Sequence, residues 1–161
     1  MRSPAARARL RIAVLPWLGL AWGCSHGLTF DQFRSRVAGP RPGYARIFVY
    51  TPLRSEALGF RPDVTLDGAV VGTSSPGTFF FVDREPGVYE LTVPRKRSLS
   101  AFGNEGAAEP ARVSLFIGQS AFVQIDVMEF GTMVEARLRT REASDGERFI
   151  RTCRFDADAA P

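Results

Sequence analysis

The sequence DVTLDGAVVGT at residues 63–73 consists of two short apolar runs, DVTL and AVVGT, on either side of Asp67-Gly68. An Asp-Gly pair between apolar runs is the strongest short-range signal of a β-hairpin. We therefore expect a two-residue turn here, in which Gly68 supplies a positive φ. Gly72, within the second run, indicates a β-bulge or the close approach of another backbone.

Short predicted strands separated by Gly and Pro continue on both sides of this hairpin. Pro86-Gly87 fits a type II turn just before an alternating run, and no helical pattern of ten or more residues follows residue 23. We predict an all-β protein, a single small antiparallel β-sandwich of about 8–9 short strands at residues 44–155, with a frayed tail at 156–161. The predicted strands are Tyr44–Tyr50, Asp63–Leu66, Ala69–Thr73, Thr78–Val82, Val88–Val93, Arg112–Ile117, Ala121–Val127, Val134–Thr140 and Arg148–Phe155, the last after a turn at Asp145-Gly146.

Four of these turn-and-strand segments resemble a known family. They are Ala45–Pro52, Pro62–Gly68 with Val71-Gly72, Gly77–Phe80 and Pro86–Leu91. Together they resemble the domain of unknown function DUF2846, which is found in bacterial envelope proteins, many of them predicted lipoproteins, and the similarity covers residues 44–128. A weaker resemblance is to PEGA-type domains. Both resemblances imply a small β-sandwich and no catalytic residue, and Thr51 stands where the DUF2846 pattern has Arg.

The formal net charge of +4 comes from the N-terminus. Residues 1–23 contain four Arg and no Asp or Glu, which leaves 17 basic and 17 acidic residues in 24–161. A neutral body lacks the surplus of positive charge that holds a protein to a polyanion. We therefore expect no nucleic-acid partner.

Residues 1–23 have the pattern of an export signal. The basic segment MRSPAARARLR precedes an apolar run from Ile12 to Gly23. As a helix, this run would span about 18 Å, whereas the hydrocarbon core of a bilayer is about 30 Å thick. A basic segment, a short apolar run and small residues before a break are typical of a signal peptide.

Cys24 follows this run directly. Gly23-Cys24 resembles the lipobox of bacterial lipoproteins, in which the cysteine receives a diacylglycerol and becomes the mature N-terminus. Trp22 and Ala21 depart from that motif, which usually has a small residue and Leu at these positions. Ala21-Trp22-Gly23 also fits ordinary signal peptidase cleavage, which would leave Cys24 unmodified. A lipidated protein and a soluble export therefore both remain open.

The state of Cys153, the other cysteine, depends on this choice. If Cys24 is lipidated, Cys153 stays unpaired or pairs between molecules. If Cys24 is unmodified, a Cys24–Cys153 disulfide can form in an oxidising compartment. Because Cys153 lies in an apolar-alternating segment, the sequence favours a buried, inert thiol.

Residues 24–43 are predicted to hold the lipidation site and a flexible tether. They contain several Gly and Pro residues and show no sustained periodicity. A flexible chain of this length reaches on the order of 25 Å, enough to hold a small domain clear of a membrane surface. As an alternative, Leu28, Phe30 and Phe33 would suit packing against the edge of the domain.

The sequence holds few residues that suit catalysis. Its one histidine, His26, lies outside the predicted domain, so a Ser-His-Asp or Cys-His arrangement is not expected. No Cys/His cluster and no Gly-rich phosphate-binding motif occur. We expect no metal site, no cofactor and no enzyme activity.

Two basic groups, one in the predicted loop 94–110 and one on the predicted strand Val134–Thr140, are candidate surface contacts. Residues that recur with a period of two share one face of a strand. Either group would suit anionic lipid headgroups or an acidic partner. The first group is Arg95, Lys96 and Arg97, and the second is Arg137, Arg139 and Arg141.

These features predict a lipid-anchored protein of the bacterial cell envelope, attached to a membrane through Cys24, that acts by protein contacts or scaffolding. In proteobacterial lipoproteins an Asp after the cysteine favours the inner membrane. This chain has Ser25, so the resemblance implies the periplasmic side of the outer membrane. The alternative is a soluble periplasmic or secreted binding module for a small ligand or glycan, which needs an aromatic-lined pocket.

Overall fold

The computed structural model describes residues 27–53, 60–94, 96–98, 108–130 and 133–159. The predicted signal peptide, Cys24 and Arg95 lie outside the described residues. In chain order, the elements are α1 (Phe30–Arg36), β1 (Ala45–Thr51), β2 (Asp63–Leu66), β3 (Ala69–Thr73), β4 (Thr78–Arg84), β5 (Gly87–Thr92), β6 (Lys96–Ser98), β7 (Ala111–Leu115), β8 (Ser120–Phe130), β9 (Met133–Arg141), α2 (Ala143–Ile150) and β10 (Arg154–Phe155).

The strands form two sheets that face each other, which confirms the all-β prediction. One sheet has the order β10-β4-β1-β8-β9-β6, and the other has the order β3-β2-β5-β7. Most neighbours are antiparallel, but β1 pairs with β8, and β10 with β4, in parallel. These two pairs depart from the antiparallel arrangement that dominates both sheets, because the chain returns to the first sheet by a crossover between sheets. A strand that returns to its sheet by a crossover can run in the same direction as the strand beside it, as β8 does beside β1.

The interior between the sheets is packed with aliphatic side chains. Ile47 and Val49 of β1 meet Val123 and Ile125 of β8, and all four are fully buried. Phe80 of β4 joins the same cluster. This core follows the two-residue period of a strand, because alternate residues of the six-stranded sheet point inward.

A second core covers the outer face of the same sheet. The alternate residues of β1 and its neighbours are aromatic here, and helices α1 and α2 lie over them. Phe30 and Phe33 of α1 are each 1% exposed. The ring of Phe30 makes an edge contact with Phe48, with centroids 5.3 Å apart, and Phe48 stacks on Phe122 at the same distance. Both faces of β1 are therefore buried.

The Asp67-Gly68 hairpin has the predicted geometry. Asp67 and Gly68 have φ values of 49° and 82°, which are those of a two-residue turn with both central residues left-handed. The Asp67 carboxylate also accepts a hydrogen bond of 2.8 Å from the Glu90 backbone N–H. The pairing register of β2 with β3 shifts just after Val64, which pairs with Gly72, and a Cβ at Gly72 would lie 2.9 Å from the Ala159 backbone oxygen. Both interpretations of Gly72, bulge and close approach, are confirmed.

The type II turn predicted at Pro86-Gly87 is wrong. Gly87 does not have a positive φ, and it begins β5 by pairing with Leu115 of β7. The physical reason is that β4 and β5 belong to different sheets. The chain therefore crosses between the sheets at this point and does not reverse within one of them.

Four further predictions are corrected by the structure. The tether is wrong from Gly27 onward, because the chain there forms α1 and packs on the sheet. The predicted Arg148–Phe155 strand is replaced by α2 and the short β10. Residues 156–159 are not frayed, since the Thr73 N–H donates to the Ala159 carbonyl at 2.8 Å. Part of the predicted loop 94–110 is strand β6.

The glycine in α2 is required by close packing, and this gives a first prediction. Gly146 is buried, and a Cβ there would overlap Cβ and Cγ of Phe122. Replacing a helical Gly with Ala ordinarily stabilises a protein by about 1 kcal/mol. We expect Gly146→Ala to lower the free energy of unfolding by about 1–3 kcal/mol, because Phe122 must shift within a packed core. Urea denaturation measures this.

The matched control is Ser144→Ala in the exposed part of the same helix. It should leave the free energy of unfolding within about 0.5 kcal/mol of the original value. A stabilised Gly146→Ala protein would contradict the described packing of α2 on β8.

Candidate functional site

The second predicted basic group lies on one face of β9. Arg141, Arg139 and Arg137 stand opposite Phe122, Gln124 and Asp126 of β8, on the outward face of the six-stranded sheet. The intervening residues of β9, such as Ala136, belong to the inner core. The predicted shared face is therefore present in the structure.

The polar side chains of this face form a connected network. The buried Tyr50 hydroxyl donates to Gln124 Oε1 at 3.1 Å, and Arg141 Nε donates to the same oxygen at 3.0 Å. The Gln124 amide donates to Asp126. Asp126 in turn pairs with Arg139 Nε at 3.0 Å. The network holds the Nε atoms of Arg139 and Arg141 in place, because it extends from the Tyr50 side chain, which is 1% exposed.

Arg137 and Arg139 remain accessible at their outer ends. Their side chains are 53% and 51% exposed, although Arg137 Nε pairs with Glu135 at 3.1 Å. Arg141 is more enclosed, with its guanidinium 5.5 Å from the Phe149 ring centroid in α2. Acidic partners accompany the cations, so this face offers individual guanidinium groups and not a field of one sign.

A surface cleft lies beside these arginines. Its volume is about 370 Å³, and it separates β9 from the chain that leads into β7. Its lining is mixed, with apolar, acidic and basic side chains: Ala108, Glu109, Glu135, Ala136, Arg137, Leu138 and Arg139. The described residues of the lining include no aromatic side chain of the kind that the alternative binding-module prediction asks for. Sequence reasoning missed the cleft because Ala108 and Glu109 fall in the predicted loop.

The first predicted basic group lies next to the second. Lys96 and Arg97 are in β6, and their backbone positions stand opposite Glu135 and Val134 of β9. The fold therefore brings together two basic features that are about 40 residues apart in sequence. Together, β6 and β9 form one edge of the six-stranded sheet.

The opposite edge of the sheet holds the first described residues. The Phe155 N–H of β10 donates to the Leu28 carbonyl at 2.8 Å, and Thr29 forms an antiparallel bridge with Arg154. Helix α1 then begins with a capping box, in which Thr29 and Gln32 exchange side-chain to backbone hydrogen bonds. Gly27 is thus fixed beside β10, three residues after Cys24.

Cys153 has the buried thiol that the sequence predicts. It lies between α2 and β10, is 1% exposed, and its Sγ is 3.5 Å from the Thr51 carbonyl oxygen. Burial raises the pKa of this thiol to about 11. Burial likewise raises the pKa of the Tyr50 hydroxyl to about 12. A thiol that keeps its proton is a poor nucleophile.

These two shifts predict a loss of stability in alkali. A group whose pKa is higher in the folded state stabilises the fold below its unfolded pKa, about 9 for Cys and 10 for Tyr. That contribution is lost as the pH rises from about 9 through 12. We expect Tm to fall over this range, and to fall less in Cys153→Ala, as differential scanning calorimetry would measure. Identical pH profiles for the two proteins would contradict the role given to Cys153.

Among the described residues, no group of three or more His, Cys, Asp or Glu side chains is arranged to hold a metal ion. Neither α1 nor α2 has the length and hydrophobicity of a membrane-crossing helix. Comparison of the chain with protein families, with curated proteins and with solved structures gives no match.

Proposed function

We propose that this protein is a lipid-anchored interaction domain of the bacterial cell envelope, attached to a membrane through Cys24. In this proposal residues 1–23 export the chain and are then removed. The domain acts by contacts with other envelope components and carries out no reaction of its own.

The observation that carries the proposal is that every described core residue follows the predicted cleavage site. Both described cores are built from residues 28–159, and the first described residue, Gly27, lies three positions after Cys24. Cleavage before Cys24 would leave every one of these core contacts in place. Removal of residues 1–23, as proposed, would therefore leave the described domain complete.

The β9 face supports a role in contacts. Arg137 and Arg139 combine exposed guanidinium groups with inner ends that are fixed by ion pairs. Arginine is favoured at protein interfaces, because its planar group binds carboxylates with two hydrogen bonds. We propose that this face binds acidic groups of a partner.

Cys24→Ala tests the anchor. Expressed in a bacterium that processes lipoproteins, the original protein should fractionate with membranes and incorporate labelled palmitate. Its intact mass should correspond to residues 24–161 plus a diacylglycerol. Cys24→Ala should incorporate no label and leave the membrane fraction.

The chain supplies its own control in the second cysteine. Cys153→Ala should be labelled and fractionate as the original protein does, because the Cys153 thiol is buried. A bare polypeptide mass that begins at Cys24, with no label, would overturn the proposal in favour of a soluble export.

A further inference from the structure

The cleft beside β9 follows the edge of this strand. One wall of the cleft is formed by five consecutive residues, 135–139. Successive side chains of a strand point to opposite faces of its sheet, so a cleft on one face would be lined by alternate residues only. Because all five residues line it, the cleft lies alongside the strand, at the edge of the sheet.

Strand β9 has a neighbour on this side along only part of its length. Its pairing with β8 extends to Arg141, whereas its described pairing with β6 covers only residues 133–135. The cleft begins at Glu135, where the pairing with β6 ends. Among the described strands, none pairs with residues 136–141 on the side away from β8. The backbone N–H and C=O groups along such an edge can pair with a strand of another chain.

The outward side of this edge carries two guanidinium groups at the spacing of an extended chain. Arg137 and Arg139 are two residues apart, so their Cα atoms are separated by about 7 Å along β9. Their ion pairs with Glu135 and Asp126 are made through Nε, at 3.1 and 3.0 Å. No hydrogen bond within the described residues uses the Nη groups of either arginine. These Nη groups therefore remain for acceptors on another molecule.

The inward side of the same edge is apolar. Ala136 and Leu138 alternate with the two arginines, and both pack in the inner core. Ala108, which is 3% exposed, lies on the wall opposite β9. Glu109 is also on that wall, where it would repel a further carboxylate. A chain segment that fits this edge thus has acidic side chains toward the arginines and apolar side chains between them.

We propose that β9 binds a partner protein by strand addition, in which an extended segment with Asp or Glu at alternate positions pairs with the open edge of β9. Two of its carboxylates bind Arg137 and Arg139. This deepens the proposed role of the β9 face in contacts, and rests on it. In strand addition, main-chain hydrogen bonds supply affinity and alternate side chains supply specificity. Carboxylates at alternate positions of an extended chain recur at about 7 Å, which matches the spacing of the arginines.

Three peptides with blocked ends test the strand addition. They are SEVEVEVS, its rearrangement SEEEVVVS, and SEVEVEVS with every backbone amide N-methylated. The protein is used in the form that its bacterial host produces, purified in detergent, and binding is measured by fluorescence anisotropy. SEVEVEVS should bind, and the other two should bind at least about tenfold more weakly. One of them loses the alternation of the charges, and the other loses the main-chain donors.

Variants of the protein locate the site. Arg137→Gln combined with Arg139→Gln should weaken the binding of SEVEVEVS by about tenfold or more, because hydrogen bonds between charged groups are lost. Arg112→Gln is the matched control, since Arg112 is 80% exposed and lies in the other sheet, and it should bind as the original protein does. Hydrogen exchange should show that the peptide protects residues 136–141, and that it does not protect β3, an edge strand of the other sheet.

Four results would overturn the proposal. They are no binding of SEVEVEVS, equal binding of SEVEVEVS and SEEEVVVS, binding that leaves residues 136–141 unprotected, and a dimer in which these residues are protected without peptide. The last result would assign the edge to a second copy of the chain. None of these measurements depends on whether Cys24 is lipidated, which the mass of the protein decides. Failure of the strand addition and failure of the proposed anchor are therefore distinguishable.

Discussion

Replacing Phe30 with Ala should lower the free energy of unfolding by about 3–5 kcal/mol, the usual cost of removing a fully buried aromatic side chain. Phe30 is 1% exposed, and its ring contacts Phe48, Phe79 and Phe122 of three different strands. These contacts hold α1 on the sheet. We therefore expect a second effect, in which the backbone amides of α1 exchange with solvent much faster than those of β1.

Phe116→Ala is the matched control for this experiment. Phe116 is 63% exposed, so the same substitution there should change the free energy of unfolding by no more than about 0.5 kcal/mol. Urea denaturation and hydrogen exchange measure the two effects. Similar costs for Phe30→Ala and Phe116→Ala would mean that α1 is not docked as described.

Arg46→Leu should be comparably destabilising, for an electrostatic reason. Two nitrogens of the Arg46 guanidinium bind the two Asp83 carboxylate oxygens at 2.7 and 2.8 Å, and a third donates to the Ala38 carbonyl at 2.9 Å. The guanidinium also lies 4.1 Å from the Phe81 ring centroid. Removing it leaves the Asp83 charge, 15% exposed, without its partner. Breaking a buried pair in this way costs about 3–5 kcal/mol.

Two further variants isolate the pair. Arg112→Leu removes the exposed partner of Glu90, where the separation is 3.7 Å, and should cost less than about 1 kcal/mol. The double variant Arg46→Leu with Asp83→Leu should recover part of the loss, since it leaves no unpaired charge. If the cost of the double variant equals the sum of the costs of Arg46→Leu and Asp83→Leu measured singly, Arg46 acts by packing alone.

The sequence predicts the strands of this protein better than their arrangement. Asp63–Leu66 and Ala69–Thr73 have the predicted bounds, because a two-residue turn between apolar runs fixes both the strands and their register. The parallel pairing of β1 with β8 could not be predicted in this way. This pairing joins segments that are distant in sequence, so no local turn pattern predicts it.

The two helices were missed for different reasons. Thr29 and Gln32 have the spacing of a capping box, a signal that would have marked the start of α1. In α2, Asp145-Gly146 imitates a turn, although Gly146 is there because Phe122 leaves no room for a Cβ. A glycine required by packing and a glycine required by φ look the same in a sequence.

The candidate site could be predicted only in part. The period of Arg137, Arg139 and Arg141 predicts their shared face, since it depends on one strand alone. The pairing of β9 with β6, the cleft, and the hydrogen bonds that lead to Tyr50 depend on contacts between segments that are distant in sequence. Such contacts follow from the topology, which local patterns do not encode.

The bridge between Thr29 and Arg154 has a consequence for how the protein matures. It joins the residue before α1 to β10, near the two ends of the described residues, so the β10 edge cannot close until β10 has been synthesised. The pairing of β1 with β8 is also non-local, and folds of this kind form slowly. A chain that stays open until its end is complete suits transport in an unfolded state. In the export that we propose, the chain would cross the membrane before the domain closes.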